Sequence, residues 1–241
     1  MKAMVFAAGL GTRLRPLTND KPKALVEING IPLLQIVILQ LKKSGFTDII
    51  VNVHHFANSI INFLKENNNF GLNISISDER DQLLDTGGGL KKAEKFFGDE
   101  PFLLHNVDII TNLDLKKMYD YHLNENAIVT LAVRNRKTSR YFLFDKELFL
   151  CGWKNFKTNE TMLCKAPTSK LIPYAFSGIQ IVSPEIFKYM DMNGKFSIKD
   201  VYIKIAFARK ISAYIHDESI WMDIGKPENI KLAEAVIDKI Y

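Results

Sequence analysis

Short, continuous apolar runs separated by amphipathic segments constrain this chain more than any other feature. Ala3-Met4-Val5-Phe6-Ala7, Ile49 to Val53, the stretch around Leu72 to Ser77, and Phe102 to His105 are all of strand length. Their largely unbroken apolar character is that of strands buried on both faces. Helical signals lie between them. Pro32 opens an apolar-periodic segment that runs to about Ser44 and is closed by Gly45, a second spans about Ala57 to Glu66, and a glycine-started one spans about Gly88 to Phe96. Strand and helix alternating at these lengths make βαβ units. The predicted class is α/β, a mostly parallel sheet flanked by helices.

Past a predicted helix over Asp114 to Asn124 the texture changes. Ile128 to Val133, Tyr141 to Phe144 and Leu148 to Trp153 follow one another without helices between them, which predicts a small antiparallel excursion. Tyr174 to Val182 resumes the buried pattern, Ile211 to Ile215 and Trp221 to Ile224 add short strands, and Pro227 starts a terminal helix over 227–241. No internal repeat or linker divides the 241 residues, so one domain over 1–241 is expected.

Composition removes several classes of function. With 47% hydrophobic and 24% charged residues, disorder and fibrous architectures are excluded. The net charge of +5 is mild for a nucleic-acid binder, and the cluster Arg134, Arg136, Lys137 and Arg140 carries no interleaved aromatics, so it reads as a solvated hairpin. The longest apolar stretch, Ile31 to Leu41, contains Pro32, Gln35 and Gln40 and falls short of the ~18 residues of a membrane span. The apolar N-terminus is read as a first strand rather than a signal peptide. Cys151 and Cys164 form neither a CxxC redox pair nor half a zinc site, and a reducing cytoplasm is expected.

The segment after the first strand carries the chemistry. In an open α/β sheet it lies where ligands bind, and Gly9 and Gly11 let a backbone approach an anion closely. It is not a Walker A loop, and Leu14 occupies the third glycine position of a dinucleotide fingerprint, which argues against a nicotinamide-dependent oxidoreductase. Arg13, Arg15, Lys21 and Lys23 face the single acid Asp20, so the loop reads as a sleeve for something strongly anionic.

Gly9-x-Gly11-Thr12-Arg13-x-x-Pro16-x-Thr18, followed by Pro22-Lys23-x-Leu25, resembles the signature of the sugar-1-phosphate nucleotidylyltransferases. Such enzymes have a Rossmann-like fold and join a nucleoside triphosphate to a sugar 1-phosphate, releasing pyrophosphate. Val51 to Ala57 and Asp85 to Gly89 are most similar to the branch that uridylylates N-acetylmuramate 1-phosphate. The resemblance implies a nucleotide-binding part over about 1–125, a sugar-binding part over about 126–226, UTP as the favoured donor over GTP, CTP and dTTP, and Mg²⁺ as cofactor. A non-catalytic sugar-nucleotide binding module is the rival reading.

Residue by residue, the resemblance gives Arg13 and Lys23 catalytic roles and the nucleotide to Ala7, Ala8, Gly9, Gly11, Thr12, Thr86, Gly87 and Gly88. It gives the sugar phosphate to Asn106, Trp153, Lys154 and Gly178, and the metal to Asp108 and Asp223. Mg²⁺ is commonly held by one or two carboxylates and substrate phosphates, and both aspartates follow apolar runs, although each could instead cap a helix. Val107 stands where the family usually has glycine, and Trp153 where many relatives have a carboxylate that grips sugar hydroxyls. Trp153 could equally be a core residue, Gly178 a packing glycine, and Gly87-Gly88-Gly89 a flexible turn. His54 and His55 are adjacent and cannot form an i, i+4 metal pair, so they are expected to be structural or pocket-shaping.

Overall fold

The structure, a computed structural model, describes residues 1–164 and 170–240. Its first half is a parallel sheet. β1 (Lys2–Phe6) lies between β4 (Asp48–Val53) and β6 (Phe102–Asn106), and β5 (Asn73–Asp78) flanks β4, all parallel. A two-residue hairpin, β2 (Glu27–Ile28) and β3 (Ile31–Pro32), precedes the first helix. The helices α1 (Leu33–Lys43) and α2 (Ala57–Glu66) supply the crossovers expected from the sequence. Pro32 sits at the N-cap of α1, one residue earlier than its expected first-turn place. Ala3, Val5, Ile49, Val51 and Leu103 pack into one apolar cluster with α1, and Met4, Ile50, Phe102 and Leu104 into another. Alternate residues of each strand thus enter opposite layers, which is why the runs read as unbroken apolar sequence.

The glycine-rich segment forms α3 (Asp85–Lys92), so the helix begins before the glycines rather than at Gly88. Further on come β7 (Ile109–Thr111) and α4 (Leu115–Glu125), capped by Asp114, whose carboxylate accepts from the Lys117 amide at 2.9 Å. The antiparallel part contains β8 (Val129–Arg134), β9 (Arg140–Phe144), β10 (Leu150–Asn155), β11 (Glu160–Leu163) and the long β12 (Ile172–Val182). It is continuous with the parallel half, because β12 pairs with β6, β8 and β9. The ten-stranded mixed sheet runs β11-β10-β9-β12-β6-β1-β4-β5, with β8 joined to β12 and to β13 (Ile211–Ile215). A separate ribbon pairs β14 (Trp221–Asp223) with β7.

Two helical readings need correction. The amphipathic α5 (Ile198–Ile205), with Ser197 as its cap, was not foreseen. The terminal helix α6 (Pro227–Glu234) is shorter than 227–241, because the chain breaks into a turn over Ile237–Lys239 that buries Ile237. Tyr241 lies outside the described residues, as do 165–169 of the predicted sugar-binding part.

Polar ties cross the sheet. His122 of α4 stands between Thr130 Oγ1 at 2.9 Å and Ser183 Oγ at 3.0 Å, and burial pushes its pKa down to about 4. In the unfolded chain a histidine titrates near 6.5, so between about pH 6.5 and 4 the unfolded state binds more protons. Stability is therefore full above pH 6.5 and falls as the pH drops towards 4. His122 alone should account for about 2 kcal/mol lost by pH 5. Burial also pushes His105 and His216 down to about 4, so chemical denaturation at pH 7.5 and pH 5 is compared between the parent and His122→Gln, and an equal loss in both proteins would refute the assignment to His122.

Candidate active site

At the carboxyl end of β1 the chain turns through Ala7, Ala8 and Gly9 and makes one helical turn over Thr12–Leu14. Leu14 is fully buried among Ile28, Leu33, Ile36 and Ile224, so the residue that breaks the dinucleotide fingerprint is the anchor of this loop. Gly11 adopts φ +64°, its carbonyl accepts the Thr18 hydroxyl at 2.9 Å, and a Cβ there would press on Thr18 and Lys23 at 3.1 Å. Gly11 and Thr18 thereby fold the sleeve so that Lys23 turns back towards the sheet. Lys23, only 9% exposed, makes a close ion pair with Asp108.

Asp108 follows β6 and Asp223 ends β14. The Ile224 amide donates to the Asp108 carbonyl at 2.8 Å, bringing the two aspartates to the same corner. Val107 fits without a glycine-like backbone. It has no positive φ, its side chain is buried, and its amide donates to the Phe6 carbonyl at 3.2 Å. Asp223 Oδ1 is buried and has no hydrogen-bond partner. Burial, and then the neighbouring Asp108, hold the Asp223 carboxyl above the usual carboxylate range, against the pull of Lys23, Arg13 and Arg136. Arg13 belongs to the same corner, since a Cβ on Gly225 would lie 2.8 Å from its Nη2 and 2.7 Å from Asp223 Oδ1.

Beside this corner opens a cavity of about 340 Å³, bordered by Ala8, Gly9, Lys23, Asp85, Thr86, Asn106 and Asp108. Nothing stands within 4 Å of where a Cβ on Gly9 would be, so this glycine leaves the wall open. Asn52, Glu79, Leu83 and Lys195 also border it and were missed in the sequence.

The structure redirects four sequence expectations. The Ala7 and Ala8 amides donate to Asn52 Oδ1, at 2.7 and 3.3 Å, so Ala7 lies behind the cavity border and Ala8 borders the cavity with its amide already engaged. Gly87 and Gly88 donate to the Phe196 carbonyl at 2.9 and 3.3 Å; a Cβ on Gly87 would stand 2.4 Å from the Phe196 ring, and one on Gly88 2.2 Å from the Gly194 carbonyl oxygen. These glycines are required by the protein's own 194–196 segment, and of the expected trio only Thr86 reaches the cavity. Lys154 is the third case. Strand alternation sends it away from Trp153, and its Nζ lies 4.7 Å from the Phe156 ring centre. Thr12 is exposed outside the cavity border.

Trp153 is 8% exposed and belongs to the core cluster, yet it also borders a second cavity of about 470 Å³ with Arg136, Arg140, Phe142, Phe176 and Lys199. Its cation is Lys199, whose Nζ lies 4.4 Å over the indole. Arg136 stacks 4.5 Å from the Trp221 ring and donates to the Phe176 carbonyl at 3.1 Å. Two residues along β12, Gly178 has φ +78° at a register shift, and a Cβ would meet Ile109 at 2.7 Å and Asn106 at 3.0 Å. Gly178 therefore lets β12 close onto the Asn106–Asp108 segment, linking the two cavities along one strand.

The carboxylates suit a hard cation. Asp223 Oδ1 lacks a protein donor, Asp108 has one, and among the described residues no group of three or more acidic, histidine or cysteine ligands exists, which leaves the remaining coordination to phosphates and water.

The family described as Nucleotidyl transferase matches residues 2–239. The chain is 34% identical to the N-acetylmuramate alpha-1-phosphate uridylyltransferase of Caulobacter vibrioides over 97% of this chain and 95% of that protein. It is 28% identical to the enzyme of the same name from Neisseria meningitidis, over 98% of each. Among solved structures, HddC from Yersinia pseudotuberculosis complexed with GMP-PN superposes with a TM-score of 0.77 at 25% identity, covering 98% of this chain and 99% of that one. With that match from end to end and this corner at the carboxyl edge of its sheet, the chain belongs to the nucleotidyl transferase family.

Proposed function

We propose that this protein transfers UMP from UTP to a sugar 1-phosphate, releasing pyrophosphate and forming a UDP-sugar, with Mg²⁺ as its metal. The observation that carries this reading is the corner where Lys23, Asp108, Asp223 and Arg13 meet beside a cavity of about 340 Å³. Nucleotidyl transfer needs little covalent help from a protein. Positioning and neutralisation of charge do most of the work. Asp108 and Asp223 would hold Mg²⁺, which supplies charge neutralisation at the phosphates when bound.

Lys23 would exchange its ion pair with Asp108 for the α-phosphate and the sugar phosphate, and Arg13, exposed at the mouth of the corner, would meet the departing β- and γ-phosphates. Ala8, Gly9 and Thr86 would border the nucleoside, and Asn106 and Gly178 the sugar phosphate. The nucleotide part then comprises residues 1–125 and the sugar part 126–226.

The favoured acceptor is a sugar 1-phosphate bearing a carboxylate, as in N-acetylmuramate 1-phosphate. Arg136, Arg140 and Lys199 around the second cavity outnumber its one bordering acid, Glu160, although Lys199 also pairs with Asp200 at 2.8 Å. The aromatic floor of Phe142, Trp153 and Phe176 suits the apolar face of such a sugar. No helix among the described residues is long and apolar enough to cross a membrane, and we assign the reaction to the cytoplasm, where nucleoside triphosphates are supplied.

Pyrophosphate release from UTP, CTP, GTP and dTTP, each against N-acetylmuramate, N-acetylglucosamine, glucose and mannose 1-phosphates, tests the reading. UTP with N-acetylmuramate 1-phosphate should give the highest kcat/KM, and absence of pyrophosphate from every pair would refute an enzymatic role.

A further inference from the structure

The nucleotide cavity contains a buried carboxylate for which the proposed transfer has no chemical use. Glu79 is fully buried at the end of β5, and burial raises its pKa against the pull of two hydrogen bonds. Its Oε1 accepts from Asn52 Nδ2 at 2.7 Å and its Oε2 from the Leu84 amide at 3.2 Å. Asn52, near the end of β4 and 2% exposed, accepts the Ala7 and Ala8 amides on its own Oδ1. One line of hydrogen bonds therefore runs from the loop after β1, through β4 and β5, to the entry of α3. The backbone reinforces it. The Glu79 amide donates to the Val53 carbonyl at 2.7 Å, and His54 Nδ1 donates to the Glu79 carbonyl at 2.6 Å. The third glycine of the run exists for this line, because a Cβ on Gly89 would lie 2.7 Å from Glu79 Oε1 and 3.2 Å from Asn52 Nδ2.

We propose that Asn52 and Glu79 are positioning residues of the nucleotide subsite, a side-chain brace that fixes the gap between the Ala7–Gly9 wall and the Leu83–Thr86 wall. The proposal rests on the reading that this cavity takes the nucleotide. Both walls hang on strand ends, the second running into the first turn of α3, and both border the cavity together with the brace itself. By taking the Ala7 and Ala8 amides, Asn52 fixes the register of the first loop and makes Gly9 the residue that faces the ligand. By holding the Leu84 amide, Glu79 fixes the turn into Asp85, a non-glycine residue at φ +60°. A subsite whose width is set in advance loses less affinity to ordering of its walls when the nucleotide enters.

The polarity of the brace can be reversed without changing its charge. In Asn52→Asp two carboxylates face each other, and in Glu79→Gln the new amide must direct its N–H₂ at either the Leu84 amide or Asn52 Nδ2, both donors. In the Asn52→Asp, Glu79→Gln double variant, Asp at 52 accepts the Ala7 and Ala8 amides and the Gln N–H₂, while the Gln carbonyl accepts the Leu84 amide. Isothermal titration with Mg·UTP, without sugar phosphate, should show each single variant binding at least about tenfold more weakly and the double variant within about threefold of the parent. The KM for the sugar 1-phosphate should move by less than about threefold in all three, because the second cavity does not touch the brace.

Thermal unfolding is recorded alongside. If a single variant does not fold, the double variant carries the test and must fold and bind. Either single variant binding Mg·UTP like the parent, or a double variant no better than the poorer single, overturns the brace. Loss shared equally between UTP affinity and sugar-phosphate KM also overturns it, since that is what general loosening of the fold would give. If the parent protein binds no nucleoside triphosphate, the nucleotide reading of the cavity falls and the brace falls with it.

Discussion

Asp108→Asn and Asp223→Asn are each expected to lower turnover by about a thousandfold, and the double variant to be little worse than the poorer single. Preorganised electrostatic contacts at developing charge are commonly worth about 10²–10³ in rate, and residues that act as one unit are strongly non-additive. The two carboxylates meet that condition. They share a corner through the hydrogen bond from the Ile224 amide to the Asp108 carbonyl, and the charge of Asp108 raises the pKa of Asp223. The two variants should differ in stability. Asp223→Asn removes charge from an oxygen without a protein partner, whereas Asp108→Asn leaves Lys23, 9% exposed, without its ion pair. Asp108→Asn should therefore also show the lower Tm. Pyrophosphate release across a Mg²⁺ titration measures the effect, and rate losses that multiply in the double variant would mean that the two aspartates do not serve one ion.

How far the sequence disclosed this corner depends on what kind of signal each residue leaves. α2 matches its expected bounds, and α1 and α4 lie within a residue of theirs, because an apolar period, a proline or an aspartate cap marks their ends locally. The α5 signal is also present, with Ser197 before an apolar period, but it is short and follows directly on the Gly194 turn. Lys23, Asp108 and Asp223 were legible as chemical types; their meeting was not, since it depends on β14 pairing with β7 across more than a hundred residues.

Gly87 and Gly88 show a deeper limit. Their sequence says that something approaches the backbone too closely for a side chain, and it cannot say what. The space beside them is taken by the Phe196 ring and the Gly194 carbonyl of the chain itself. The cation beside Trp153 likewise comes from Lys199 on α5 and not from its chain neighbour Lys154, because adjacent residues of a strand face opposite ways. Asn52 lies inside the Val51 to Ala57 stretch that carries the resemblance, yet nothing in that stretch marks its side chain as part of the site, and Glu79 lies in no motif at all. A buried amide and carboxylate become conspicuous only once three strand ends are seen side by side.

Arg13→Ala should lower turnover by at least about a hundredfold with little change in Tm, since the side chain is exposed and the loop is anchored by its neighbour Leu14. Two roles for this guanidinium have to be separated. It faces the corner where the leaving phosphates are proposed to sit, and it is also one of the cations that counter the raised pKa of Asp223. Loss of the second role would leave Asp223 more readily protonated, an effect confined to acidic solution and gone once the pH is well above any carboxyl titration. Loss of the first would persist at every pH. Measuring kcat for pyrophosphate release at pH 6 and pH 8.5 in parent and variant distinguishes them: a hundredfold deficit that remains at pH 8.5 is the expected result. Arg13→Lys should recover only part of it, because a single ammonium cannot reproduce the forked donors that span two phosphate oxygens. A deficit that vanishes at pH 8.5 would remove Arg13 from the leaving-group side and leave it as a neighbour that keeps Asp223 ionised.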